Sequence, residues 1–437
     1  MLKVYNSYTQ KIEDFIPHHE KKVTLYVCGP TVYDDIHIGN ARPVIFFDIL
    51  KQYLVSLGYE VTYVSNITDL DDKIIDKAKQ LKTTEKAVSD TYTRRFLEMM
   101  TALGSHYPDL LPKATDYIDE MIAYIENLIE LGFAYETEQG VYFRVRKIEN
   151  YGQLSQQNLD ALDEGVRVTL DPNKEDPRDF SIWKKTIDGL HYESPWGKGR
   201  PGWHTECAVI NRTIFKEKID IHGGGSDLKF PHHENEIAQT IAHDHHHLAT
   251  YWLHVGRLDL NQEKMSKSLG NVVLVKDLIE KYEAAAFRLL IASHHYRQPL
   301  QYSEELMIQF QKEYDKIKRT LKKTFLMLNL SSVEQKQVDK HYIDAFEQQM
   351  NQDFNTPNVM TIINELLKAM NKETEPQALA VLYSTAKYIL EILGIMPRFE
   401  LEVDTLTLYR DWEQSRKDQN YERADSLRSE LTKRGWL

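Results

Sequence analysis

The feature that most constrains this chain is a strand, a glycine turn and a helix in immediate succession. Residues 23–28, VTLYVC, form a short apolar run that ends at Gly29, the pattern of a buried strand. Asn40 then precedes ARPVIFFDILKQYLVSLG, whose apolar residues recur at helical spacing until Gly58 stops them. EVTYVSN, residues 60–66, alternates as a second strand. A strand–helix–strand unit of this length makes the two strands parallel neighbours, so the chain reads as α/β.

Helical periodicity near 69–81, 84–103 and 113–131, short strands near 134–145 and the polar segment LDPNKEDPRDFS then interrupt the sheet as an insertion, about 82–200. KIDIHGGG at 218–225 resumes it, with a helix over 232–243 and a strand over 251–260. From residue 303 the pattern is helical, at 305–328, 341–352, 358–370 and 378–393. A loop over 394–405 and a charged segment over 406–434 follow. HHYRQPLQYSEE places a domain boundary near 296–303, which gives a first domain over 1–300 and a helical one over 301–437. A chain of 437 residues is longer than one core usually serves.

No run approaches the roughly 20 apolar residues that span a bilayer, and the first residues lack the apolar core of a signal peptide. Two cysteines, Cys28 and Cys207, cannot frame a disulfide fold and suit a reducing compartment. The net charge of −12 runs against a nucleic-acid partner as a global sum, but leaves room for a local basic face. Lys312, Lys316, Arg319 and Lys323 recur at helical spacing in KEYDKIKRTLKK, as a phosphate-facing stripe or a solvated helix face.

Four segments carry chemistry. In CGPTVYDDIHIGN, Gly39 leaves a helix start open to a phosphate, and His37 beside it can donate to a phosphoryl oxygen. In KMSKS, Lys264 and Lys267 with hydroxyl residues around them can fold round a triphosphate, although a bare KxxK is also a solvated loop. Cys28, Cys207, His232 and Glu236 are all acceptable zinc ligands, and the last two share a helix face. Their spacing does not establish a site, and two inert buried cysteines fit it as well. In IHGGGSD, glycines 223–225 permit close backbone approach, and Asp227 is placed to accept from ribose hydroxyls or to cap a turn. The run HDHHH at 243–247 reads as a solvated loop.

Together CGPTVYDDIHIGNARP, SNITDLDDKIID, GRPGWHTEC, GGGSDLKFPHHENEIAQT, EKMSKSLGN, SHHYRQPLQYSEE and DFNTPNV resemble the cysteinyl-tRNA synthetases, a class I aminoacyl-tRNA synthetase family. HIGN is a variant of one class I motif, and KMSKS matches its partner unaltered. The resemblance implies a Rossmann-like catalytic domain with a connecting insertion and a helical anticodon-binding region. It implies zinc on Cys28, Cys207, His232 and Glu236. His37, Gly39, Asn40, Gly225, Asp227, Lys264 and Lys267 would bind ATP, with His37 and the two lysines in catalytic roles. Cys28, Thr68 and Trp203 would line the amino-acid pocket. Substrates would be L-cysteine, cysteine tRNA and Mg-ATP in the cytoplasm, with no membrane and no obligate protein partner. One departure is a C-terminus that stops at LTKRGWL, where the family usually continues with a short tail. That departure keeps two alternatives open: a cysteine ligase acting on an amino sugar, and a catalytically silent RNA-binding paralogue.

Overall fold

The computed structural model describes residues 1–157, 174–260, 272–331, 333 and 337–436, with the backbone of Glu263–Lys264. It divides into two compact units, residues 1–279 with 296–302, and residues 280–295 with 303–437.

In the first unit a hairpin, β1 (Lys3–Asn6) and β2 (Lys11–Asp14), leads into β3 (Lys22–Val27), α1 (Ile38–Ser56) and β4 (Glu60–Ser65). β3 and β4 are parallel, with Val23 opposite Val61 and Val27 opposite Ser65. The insertion contributes α2 (Asp72–Leu81), α3 (Glu85–Ala102), α4 (Ile118–Glu130) and an antiparallel sheet of β5 (Ala134–Glu136), β6 (Gly140–Phe143), β7 (Phe180–Lys185) and β8 (Gly199–Pro201). The chain then re-enters the parallel sheet through α5 (Trp203–Phe215), β9 (Ile219–Gly225), α6 (Glu234–Asp244) and β10 (Ala249–Val255). The order β10-β9-β3-β4 puts the later strands on the opposite side of β3 from β4. A reversal of this kind opens a crevice at the carboxyl ends of the strands. A small second sheet follows, of β11 (Leu258–Leu260), β12 (Glu263–Lys264) and β13 (Leu300–Tyr302).

Ile45, Phe46, Phe47, Leu50 and Leu54 of α1 are buried with the sheet. Ile210 of α5 and Ile237 of α6 pack with Tyr26, Val64 and Trp252 in one core. Close packing of α1 depends on Gly223 in β9, where a Cβ would fall 2.1 Å from the Phe47 ring.

Several boundaries differ from the periodicity. α1 begins three residues earlier than the apolar pattern, and α6 begins at Glu234 after a wider turn over Lys229–His233. The expected strand over 251–260 is two strands broken at Gly256, where a Cβ would lie 2.4 Å from the Gln298 carbonyl. In HDHHH, His243 belongs to α6 and stacks on Tyr124 at 4.1 Å, while 245–247 are exposed.

The helix α7 (Val275–Lys281) spans the division between the units. The second unit holds α8 (Ala284–Ala292), α9 (Glu304–Ser331), α10 (Lys340–Met350), α11 (Thr356–Lys372) and α12 (Pro376–Ile392). The charged C-terminal segment is two helices, α13 (Val403–Lys417) and α14 (Tyr421–Lys433), separated by a turn in which Gln419 has φ 56°. Arg288 is fully buried and donates to the Leu393 carbonyl at 3.1 and 3.0 Å, which satisfies a backbone acceptor at the end of α12. Lys312, Lys316, Arg319 and Lys323 are exposed along α9. Among the described residues no helix is long and apolar enough to cross a membrane.

Gly223→Ala should destabilise the first unit by about 1–3 kcal/mol through overpacking. Adding Phe47→Leu should recover most of that loss in chemical unfolding, because the added methyl group meets the Phe47 ring.

Candidate active site and metal centre

The parallel register delivers Cys28 to the site. Its amide donates to the Gly223 carbonyl at 3.2 Å, so the β3–β9 ladder runs one residue past β3. The chain then turns at Gly29, where a Cβ would lie 1.6 Å from the Asn66 carbonyl oxygen and no other residue fits.

Four donor side chains converge there. Cys28, Cys207 on α5, His232 in the turn before α6, and Glu236 on α6 present ligand atoms within 4.8 Å of one another. The two sulfurs are 3.7 Å apart, and Cys28 Sγ is 3.3 Å from Glu236 Oε1. His232 Nε2 is 3.5 Å from Cys207 Sγ and 3.1 Å from Glu236 Oε1. An ion with bonds of about 2.3 Å to sulfur and about 2.05 Å to nitrogen or oxygen separates tetrahedral donors by about 3.8 Å for S–S, about 3.6 Å for S to N or O, and about 3.3 Å for N–O. The observed separations fall in the same order and close to these values.

The electrostatics agree. Burial, followed by the neighbouring thiol and Glu236, pushes the Cys28 thiol well up. Burial also raises Cys207 and holds His232 well below the ordinary imidazole value. A neutral imidazole is the form a metal binds, and a dication is what converts buried thiols to thiolates. The donor set, its spacing and its burial therefore fit a tetrahedral N/O/S metal ion.

Residues that the motifs did not reveal surround these four. His222 Nε2 lies 2.8 Å from Glu236 Oε2, and His204 Nδ1 lies 3.0 Å from His232 Nδ1, so each holds the far side of a candidate ligand. Burial holds His204 down to about 4, which keeps it neutral. His204 stands inside GWHTEC and His222 inside IHGGG, but only their neighbours in space give them a role. Among the described residues a second overlapping group joins Cys28 with His222 and His233.

A cavity of about 390 Å³ opens above this cluster. Cys28, His37, Gly39, Asn40, Trp203, Gly225 and Asp227 all line it, so most of the sequence-predicted residues share one space. The Trp203 ring stacks on His232 at 4.2 Å and joins the cavity to the donor cluster. Thr68 instead sits behind the lining, buried, and donates from Oγ1 to Glu206 Oε2 at 2.9 Å. Its backbone braces the glycine turn, through bonds of 3.2 Å from Thr68 N to Pro30 O and from Val32 N to Thr68 O. Gly225 lets the Asp227 carboxylate fold back over the strand end, because a Cβ there would lie 2.6 Å from Asp227 Oδ1.

The start of α1 departs from the expected open row of N–H groups. His37 is its N-cap: Nδ1 accepts from the Gly39 amide at 3.1 Å, and Asn40 Oδ1 accepts from the His37 amide at 3.3 Å. The Ile38 amide donates to the Val273 carbonyl at 2.9 Å. These bonds use the first amides and fix the imidazole tautomer, with the proton on Nε2. Lys264 is described only as backbone in β12, opposite Asp259, and Lys267 lies outside the described residues.

The strand-switch crevice and the capped His37 turn on its wall lie in a stretch whose sequence is that of a class I aminoacyl-tRNA synthetase catalytic domain. Residues 14–312 match the family of tRNA synthetases class I (C) catalytic domains, and residues 345–397 match the DALR domain. The chain is 53% identical to a cysteine–tRNA ligase of Acholeplasma laidlawii (strain PG-8A) and 45% identical to one of Onion yellows phytoplasma (strain OY-M). Each alignment covers the whole of both chains. In fold it is similar to a methionyl-tRNA synthetase of Mycobacterium tuberculosis bound by methionyl-adenylate, with a TM-score of 0.62 at 14% identity, over 90% of this chain and 94% of that one. This chain belongs to the cysteinyl-tRNA synthetase family.

The cap predicts a split between two substitutions of His37. Alanine should cost about 1 kcal/mol in thermal or chemical unfolding, whereas asparagine, itself a capping residue, should cost only a few tenths.

Proposed function

We propose that this chain activates L-cysteine with ATP and transfers it to the terminal adenosine of cysteine tRNA, at the cavity floored by Cys28. The observation that carries the reading is the union of two features in one space. A four-donor cluster suited to a thiol-binding metal reaches, through Cys28, the same cavity that His37, Gly39, Asn40 and Asp227 line.

In the first step a cysteine carboxylate oxygen attacks the α-phosphorus of ATP. The bond to the bridging oxygen breaks, and pyrophosphate leaves with its electron pair. The tRNA hydroxyl then attacks the acyl carbon of cysteinyl-adenylate, AMP leaves, and the hydroxyl proton is released. Neither step needs a protein nucleophile, so the work of the residues is alignment and charge stabilisation. His37, with Nδ1 engaged by Gly39, offers its Nε2 proton to a phosphate oxygen. Gly39 and Asn40 floor the phosphate region, and Asp227 accepts from the ribose hydroxyls. Lys264 and Lys267 oppose the triphosphate charge carried by Mg-ATP. Trp203 closes the amino-acid end, and Thr68 holds the turn beneath it. Cys28, Cys207, His232 and Glu236 would hold zinc, which when bound supplies a soft Lewis acid for the substrate thiol. The exposed Lys312–Lys323 stripe is a face for tRNA phosphates. Reduced thiols among the ligands suit the cytoplasm.

Cysteine-dependent ATP–pyrophosphate exchange, followed by charging of transcribed cysteine tRNA, tests both steps. Exchange without charging would reject the transfer step, and no exchange would reject the activation reading. Loss of a ligand, in Cys207→Ala or His232→Ala, should cut bound zinc from about one per chain to under about a tenth and raise the cysteine KM by about 100-fold or more, while the ATP KM changes by less than about threefold. Metal analysis and exchange kinetics on the same preparation measure both effects.

A further inference from the structure

Asp35 stands two residues before His37 and carries cations from two separate elements. Arg95 of α3 donates from Nη1 to both carboxylate oxygens, 3.2 Å from each. Lys276 of α7 donates to Oδ2 at 2.7 Å. The Asp35 side chain is 12% exposed, against 67% for the acid of an ordinary surface pair such as Lys79–Asp188. Pairs of the latter kind contribute little. Burial pushes the Asp35 carboxyl up, but the Lys276 and Arg95 contacts outweigh it and leave the group below its usual value. The acid is charged, and its position is determined from two sides.

Backbone bonds mark the same junction. Ile38 N donates to Val273 O at 2.9 Å and Val275 N to Ile36 O at 3.0 Å, so residues 273–275 run beside the His37 turn. The neighbouring Asp34 accepts from the Asp35 amide at 2.9 Å and lies 3.7 Å from Lys77 of α2. The turn that carries the imidazole is thus gripped between the insertion helices and α7. Neither the cavity lining nor any of the motif roles above includes Asp35.

We infer that Asp35 is a positioning residue for adenylate formation: by tying the His37 turn to α3 and α7 it holds the imidazole where the α-phosphate must lie. This rests on the ATP-activation reading above. Misplacing a reacting group by about 1 Å costs up to about 100-fold in rate. A carboxylate that only stabilised the fold would lower the melting temperature and leave turnover unchanged.

The test is cysteine-dependent ATP–pyrophosphate exchange by zinc-loaded full-length protein. Asp35→Asn keeps the shape and removes the charge, and it should lower kcat about 10- to 100-fold, with the cysteine KM within about twofold and the zinc content unchanged. Asp35→Glu should restore part of the rate. Lys276→Gln should slow exchange in the same direction, and Asp35→Asn with Lys276→Gln should be no slower than Asp35→Asn, since both remove one contact. Should Asp35→Asn fail to fold, Lys276→Gln and Arg95→Gln decide, because each leaves Asp35 one cation. Unchanged kcat in the folded variants overturns the inference, and so does a purely additive double variant. A parent protein with no exchange activity would instead sink the activation reading itself.

Discussion

The parallel pairing of β3 with β9 is the interaction on which the rest of this site depends. It carries the first strand of the parallel sheet and a strand about 200 residues later in the chain to a common end. The bond from the Cys28 amide to Gly223 extends that pairing to the residue where the chemistry begins. From that point Cys28 faces α5 and α6, and the glycine turn faces the cavity. A side chain at Gly29 would collide with the Asn66 backbone, and one at Gly223 would press on the Phe47 ring of the helix covering the sheet.

The cluster beneath the cavity is expensive as bare protein chemistry. The Cys207 thiol, the Glu236 carboxylate and several imidazoles are fully buried, with Cys28 half-buried at the cavity edge, in surroundings where charge is penalised and neutral forms are favoured. The surrounding core of Tyr26, Ile210, Ile237 and Trp252 holds them together regardless, because apolar burial is what assembles α5 and α6 on the sheet. His204 and His222 then restrict the orientation of His232 and Glu236. The same burial holds the thiols protonated and the imidazoles neutral in the bare protein.

The cavity wall around His37 follows a different logic. There the side chains are charged, partly solvated and held by ion pairs across elements, and the helix start is closed by its own histidine cap instead of lying open. A capped turn aims a single donor in one direction, where a row of free amides would accept an anion in several. The insertion, which looks like an interruption of the sheet, supplies part of the frame for that turn through Arg95 and Lys77.

Much of this was legible in the chain itself. The strand–turn–helix–strand opening, the parallel sheet, the helical C-terminal third and the motif residues around His37 and Asp227 follow from local periodicity and from residue types with few conformational alternatives. The break at Gly256, the wider turn before α6, the division of the last charged segment into two helices and the cap at His37 did not, because each is a local departure of a few residues that periodicity averages away. The four-donor cluster illustrates the limit. Cys28 and Cys207 are 179 residues apart, and no spacing rule distinguishes two such cysteines from inert ones. Family resemblance singled out the four donors that the fold brings together, but His204, His222 and the Asp35 junction had no signal short of the folded chain. Helix formation and the alternation that marks a strand are decided by residues close together in the chain. The convergence of distant donors is decided by the order in which strands pair and by which helix face the core buries, and those are properties only of the assembled tertiary structure.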